Sequence, residues 1–163
     1  MDQASHHFEL ARVRPMTVAD IEAVQIVEQA SFTLPWTNDA FYNELTNNIF
    51  AHYWVIEENS TIIAYAGMWT VIDEAHVTNI AVHPDSRGHG YGEKLMQTLI
   101  TEAAVHGMNK MTLEVRVTNE VAQRLYRKYD FEPAGVRKGY YSDNNEDALI
   151  MWTNIDQLRV SSY

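Results

Sequence analysis

A chain of 163 residues, 46% of them hydrophobic, is long enough to bury a core of its own and too apolar to be read as disordered. The absence of cysteine removes thiol nucleophiles and cysteine zinc sites, and a formal charge of -10 argues against broad nucleic-acid binding, which needs a basic face to displace counterions. No long apolar run and no basic-then-apolar start are present, so a soluble, cytoplasmic protein with neither membrane nor nucleic-acid partners is expected, monomeric or weakly homodimeric.

In chain order, residues 1–7 (MDQASHH) read as a disordered N-terminal segment and residues 8–163 as a single domain. Phe8 to Arg14 alternate as a strand does. TVADIEAVQIVEQASF opens with Thr17 and Asp20 in capping-box spacing and carries Ile21, Val24, Val27 and Phe32 on one face, which predicts a helix. A second, short helix follows TLPW across Asn38 to Leu45. The β-branched and aromatic run from Phe50 to Pro84, broken at EENS and DEA, predicts three successive antiparallel strands. Leu95, Met96, Leu99, Ile100 and Ala103 then recur at helical spacing, with Gly107 placed to end that helix. KMTLEVRV is a strand, NEVAQRLYRKYD a helix, and FEPAGVRKGYY and EDALIMWTNI are two last strands joined by SDNN. The order β-α-α-β-β-β-α-β-α-β-β predicts one α/β sheet of mixed direction.

The stretch HPDSRGHGYGEKL places Gly88, Gly90 and Gly92 in front of a helix. A helix start has backbone N–H groups without acceptors and a partial positive charge, so anions bind well there. Arg87 adds a mobile charge beside them. A P-loop would need Gly-Lys-Ser/Thr, but Gly92 is followed by Glu93 and Lys94; a dinucleotide loop would come after the first strand, not after several. Alone, these glycines are equally compatible with a tight connection.

Strand alternation sets Leu113, Val115 and Val117 on one face and Thr112, Glu114 and Arg116 on the other. A mid-strand carboxylate in a sheet covered on both sides is costly unless it has a partner or lines a wet cleft, so Glu114 is either a base or half of a salt bridge to a nearby Arg or Lys. Tyr126 falls on an apolar helical face with Ala122, Leu125 and Tyr129, which packing alone would explain, and Asn119 has the place of a helix N-cap. TLPW and GYYSDNN would frame a binding groove shaped by Trp36, Tyr140 and Tyr141, against the alternative of surface aromatic packing. Asp143 or Glu44 would attract a cationic peptide, with nothing to choose between them.

The phrase VTNIAVHPDSRGHGYGEKLMQTLI resembles the coenzyme A-binding segment of the GNAT acyltransferases, whose Arg/Gln-x-x-Gly-x-Gly/Ala pattern is filled by Arg87, Gly90 and Gly92. The later run LEVRVTNEVAQRLYRKYDFEPAGVRKGYYSDNNEDALIMW is similar to the RimI-type branch, which acetylates the N-terminal alanine of a small-subunit ribosomal protein. The resemblance implies the GNAT fold, a mixed sheet of about seven strands flanked by about four helices, and use of acetyl-CoA without a metal. It further implies that Ile80, Ala81 and Val82 offer main-chain groups to the acetyl-pantetheine arm. Arg87, Gly88, His89, Gly90, Tyr91 and Gly92, with Glu93 beside them, would wrap the pyrophosphate, and Asn119 would touch the pantetheine. Glu114 would be the general base and Tyr126 the general acid, acting on a protein or peptide N-terminus. Glu93 stands where a basic residue is common, and Asp130 replaces the glycine usual before the phenylalanine. Acetylation of a small amine and a non-catalytic coenzyme A-binding module are the alternatives.

Overall fold

The computed structural model describes residues 11–156, so the expectation for residues 1–7 lies outside the described residues. Seven strands and four α-helices follow in the order β1 (Ala11–Pro15), α1 (Ile21–Ser31), α2 (Asn38–Thr46), β2 (Ala51–Glu58), β3 (Thr61–Val71), β4 (Glu74–Val82), α3 (Tyr91–Val105), β5 (Lys110–Arg116), α4 (Glu120–Lys128), β6 (Glu132–Tyr141) and β7 (Glu146–Asn154). This is the order expected from the sequence, with short 3-10 turns added at Val18–Asp20 and Pro84–Ser86. The strands hydrogen-bond in the order β1-β2-β3-β4-β5-β7-β6. β4 and β5 run parallel while β1/β2, β5/β7 and β6/β7 run antiparallel, which makes the sheet mixed. The described residues divide into two compact units, one holding residues 11–67 with Asn79–Leu95, the other Met68–Thr78 with residues 96–156.

In the first unit the entry to α1 is fixed electrostatically. The Thr17 N–H donates to Asp20 Oδ2 at 2.8 Å, and Arg14 grips both oxygens of the same carboxylate at 2.8 Å. The Arg14 guanidinium holds the Asp20 carboxyl down to about 2. Val24 and Val27 of α1 and Phe41 of α2 then bury completely with Tyr53, Val55 and Tyr65. Phe41 meets Tyr65 edge-on, with centroids 5.6 Å apart. Gly67 has to be glycine, because the Tyr53 ring occupies the place its Cβ would take.

In the second unit Met111, Leu113 and Val115 of β5 are buried and alternate with half-buried Thr112, Glu114 and Arg116, as period-two patterning requires. β5 is in register with β7 along its whole length, from Lys110↔Asn154 to Arg116↔Ala148. Its ladder with β4 is short: Glu74↔Lys110, Ala75↔Met111 and His76↔Thr112. Among the described residues, Leu113 to Arg116 therefore ladder on the β7 side alone. Gly107 closes α3 at φ +77°, a left-handed conformation that costs glycine least. The β3–β4 turn sits at Ile72–Asp73, slightly earlier than DEA suggests, with Ile72 at φ +58° and 92% exposed.

Gly67→Ala is expected to lower the urea midpoint, at a cost of about 1–3 kcal/mol for overpacking against Tyr53. Gly135→Ala is the control, because its added Cβ would meet Ile150 Cδ1 at an ordinary 3.8 Å and should leave the midpoint almost unmoved.

Candidate active site

In the first unit β4 ends in Ile80, buried Ala81 and Val82, and the His83 N–H donates to the Ile63 carbonyl at 2.8 Å, which fixes where the strand stops. The loop that follows is exposed from Arg87 to Gly90. Arg87 Nε donates to the Val82 carbonyl at 3.1 Å, leaning the guanidinium back over the strand end. Gly88 and Gly90 have φ of +84° and +80°, and nothing lies within 4 Å of the place where either would carry a Cβ. Their Cα positions therefore face open space at the start of α3, where the Lys94 N–H donates to the Gly90 carbonyl at 3.1 Å. His89 is exposed, and Gly92 and Glu93 are half-buried in the first helical turn.

Tyr91 differs from its neighbours. It is 3% exposed, and its hydroxyl donates to Glu58 Oε2 at 2.8 Å; burial, then the Glu58 carboxylate, push the phenol up to about 12. Its ring anchors the start of α3 to β2, so only its main chain is available to a ligand. Trp36 is half-buried with its ring 5.5 Å from Phe41. Glu44 is buried and accepts a hydrogen bond from Asn48 Nδ2 at 2.9 Å, so it is not the open anionic lure considered from the sequence.

In the second unit Trp69, His76, Thr112, Glu114, Arg137 and Ile150 line part of a cleft of about 420 Å³. Glu114 stands in its wall with 10% of its side chain exposed. Oε2 lies 2.6 Å from His76 Nε2, and Oε1 lies 3.7 Å from an Arg137 guanidinium nitrogen. Burial alone would raise the Glu114 carboxyl, but the His76 hydrogen bond and the charges of His76 and Arg137 outweigh it, so the net direction is downward. The cleft and the ion pair, alternatives in the sequence, are therefore both realised.

His76 escaped the sequence reading. Alternation along β4 places it with Thr78 and Ile80, opposite buried Ala75, Val77 and Asn79, which is a visible signal. Its pairing with Glu114, 38 residues away, follows from the β4–β5 register, which no local pattern discloses.

Tyr126 is 6% exposed, its ring 5.8 Å from Phe131, and burial followed by the influence of Tyr141 pushes its phenol well above the ordinary range. Tyr140 is 47% exposed and stacks edge-on against Tyr141 at 5.0 Å. Burial and then Glu114 raise the Tyr140 phenol; burial raises Tyr141 to about 12 against the opposing Arg116 charge. These shared influences place Glu114, Tyr126, Tyr140 and Tyr141 in one electrostatic neighbourhood. Arg116 lies 4.0 Å from the Tyr141 centroid and bonds Asp143 at 2.8 Å and Glu146 at 3.2 Å. Asp143 is thereby committed to the hairpin and is not an open lure either. Asn119 caps α4, its Oδ1 accepting the Ala122 N–H at 3.1 Å.

Among the described residues no group of three or more His, Asp or Glu side chains is arranged to hold a metal ion, and no helix is long and apolar enough to cross a membrane.

The sequence pattern of the acetyltransferase (GNAT) family matches residues 21–131. A Bacillus subtilis (strain 168) protein, named provisionally as a ribosomal protein bS18-alanine N-acetyltransferase, is 47% identical over 147 residues, covering 90% of this chain and 97% of that one. The Escherichia coli (strain K12) ribosomal protein bS18-alanine N-acetyltransferase is 33% identical over 141 residues, covering 85% and 94%. The crystal structure of the ribosomal-protein-S18-alanine N-acetyltransferase from Escherichia coli superposes with a TM-score of 0.83 at 32% identity over 90% of this chain and 95% of that one. With its strand order, its glycine loop and this similarity over nearly its full length, the chain belongs to the acetyltransferase (GNAT) family.

Proposed function

We propose that the protein is a cytoplasmic, acetyl-CoA-dependent N-acetyltransferase that modifies the free N-terminal α-amino group of a protein, specifically the N-terminal alanine of ribosomal protein bS18, with both units serving one catalytic domain. The observation that carries this is Glu114, a carboxylate kept ionised in the wall of a cleft by His76 and Arg137 in a chain of this family. The choice of acceptor is supported by relatives named for bS18 that align with nearly the whole chain.

The glycine loop suits a diphosphate. Gly88 and Gly90 leave their Cα positions uncovered, the α3 start contributes oriented N–H groups, and exposed Arg87 supplies charge. Glu93 and the main chain of His89, Tyr91 and Gly92 belong to the same turn. Ile80 to Val82 would give the pantetheine arm its main-chain partners, with Asn119 a further contact. Acetyl-CoA supplies the acetyl thioester. An α-ammonium has an ordinary pKa of about 7.7–8.0, so it must lose a proton before its nitrogen attacks. Glu114 takes that proton. Because its carboxyl lies below the ordinary value, it is ready as carboxylate near neutrality and passes the proton on instead of storing it. Tyr126 keeps its own proton throughout this range, which suits a hydrogen bond to the departing sulfur better than full protonation. Trp36, Tyr140 and Tyr141 border the acceptor.

Glu114→Gln is expected to lower kcat by about 100-fold or more while the acetyl-CoA dissociation constant changes less than about twofold. Thiol release with an alanine-starting peptide and calorimetry would measure the two. Unchanged turnover would reject the assignment of Glu114, and silence of the wild type across a peptide panel would reject the protein acceptor.

His76→Leu removes the donor that lowers the Glu114 carboxyl and leaves burial, which raises it. Since the base works ionised, the acidic limb of kcat/KM should move to higher pH. Arg137→Met should move it the same way by less. A limb that stays put or moves down would reject the role of these partners.

A further inference from the structure

Glu28 of α1 has no part in the chemistry above, yet it is only 2% exposed. So deep a carboxylate is costly unless hydrogen bonds surround it. Both oxygens are engaged: Oε2 accepts the Trp36 N–H at 2.9 Å, and Oε1 accepts the hydroxyl of buried Tyr65. Gln25, one turn earlier on the same helical face, donates from Nε2 to the Trp36 carbonyl at 2.6 Å. Its own Oε1 is left buried without a partner among the described residues, so the side chain gives up half its hydrogen bonding to hold that carbonyl. The N–H and C=O of one loop residue are thus both clamped from α1.

The bonds continue behind Tyr65. Asn79 Nδ2 donates to the Tyr65 hydroxyl at 3.1 Å, and the Tyr53 hydroxyl donates to Asn79 Oδ1 at 3.4 Å. Asn79 immediately precedes Ile80 on β4. One buried carboxylate therefore joins the loop before α2 to the strand assigned to the acyl arm. The clamped loop carries Phe32 and Leu34, 41% and 60% exposed. Apolar side chains standing in water on a connecting segment keep a defined place only if the backbone beneath them is tied down.

We propose that Glu28, together with Gln25, is a positioning residue for the acceptor: by holding the Trp36 peptide it sets the Phe32–Trp36 loop against which the incoming polypeptide N-terminus is placed, without touching that substrate. This rests on the acetyl-transfer function proposed above.

Three variants test it. Glu28→Ala deletes both bonds, Glu28→Gln keeps an acceptor for the Trp36 N–H and turns its amide to the Tyr65 oxygen, and Gln25→Ala releases the carbonyl alone. Glu28→Ala should raise KM for an alanine-starting peptide about tenfold or more and leave KM for acetyl-CoA within about twofold. Glu28→Gln should recover most of the loss, and Gln25→Ala should show the same split, smaller. Hydrogen exchange at the Trp36 amide, read by NMR without any substrate, should lose protection in Glu28→Ala. Retained protection would overturn the clamp; lost protection with an unchanged peptide KM would overturn its role in acceptor placement. A parallel rise in both KM values would mark general loosening and also overturn it. If Glu28→Ala does not fold, Gln25→Ala decides by the split between the two KM values alone, because it leaves the Trp36 N–H on Glu28: a peptide KM that does not rise, or one that rises together with the acetyl-CoA KM, overturns the acceptor role. A wild type that acetylates no peptide would overturn the acetyl-transfer function and the acceptor role with it, while the Trp36 amide would still report on the clamp.

Discussion

The second unit is arranged around the difficulty of keeping a carboxylate charged inside a sheet. Glu114 sits between Leu113 and Val115, both buried, and burial by itself would drive it toward the neutral acid. Two neighbours reverse that direction. His76 comes from a strand linked to β5 by only three ladder pairs, and Arg137 from β6, which joins β5 through β7. The net downward direction comes from donors that strands distant in sequence bring to the carboxylate, so it depends on sheet order and not on the LEVR segment alone.

A net charge of -10 looks unsuited to an anionic ligand. Local dipoles ease the conflict, because the oriented amides of a helix start act at contact distance, whereas charges farther off than about 8 Å are largely screened at physiological ionic strength. The geometry of Gly88 and Gly90 is compatible with such a contact. In both, the left-handed backbone excludes ordinary side chains while the surrounding space is empty, so conformation and access, not packing, demand glycine there.

Element order was legible in the sequence because each element announces itself locally. The period-two alternation of β5, the apolar stripe of α3 and the capping box before α1 all reappear where the pattern placed them. What local pattern could not disclose was direction and partnership. Tyr91 lies inside a glycine-rich segment and reads as ligand-facing, yet a tyrosine between two glycines at a helix start turns its ring wherever packing accepts it, here onto Glu58. His76 was hidden for the same reason: its function lies in a register. Asp143 and Glu44 illustrate the converse, since an acidic residue in a candidate groove looks free until its Arg116 or Asn48 partner is seen.

Glu28 and Glu114 show how much the partner decides. Both are withdrawn from water, and burial pushes both carboxyls up. Glu28 is met by a peptide N–H and a phenol, neutral donors that do not overcome burial, and its carboxyl stays above the ordinary value. Glu114 is met by an imidazole and a guanidinium, and it ends below that value. Neutral donors fix a carboxylate in place without reversing the upward push of burial; an imidazole hydrogen bond with a guanidinium nearby reverses it. The two glutamates are therefore not interchangeable: Glu28 is the more deeply buried and is met only by neutral donors, while Glu114 keeps part of its side chain exposed to the cleft and is met by the His76 imidazole and the Arg137 guanidinium.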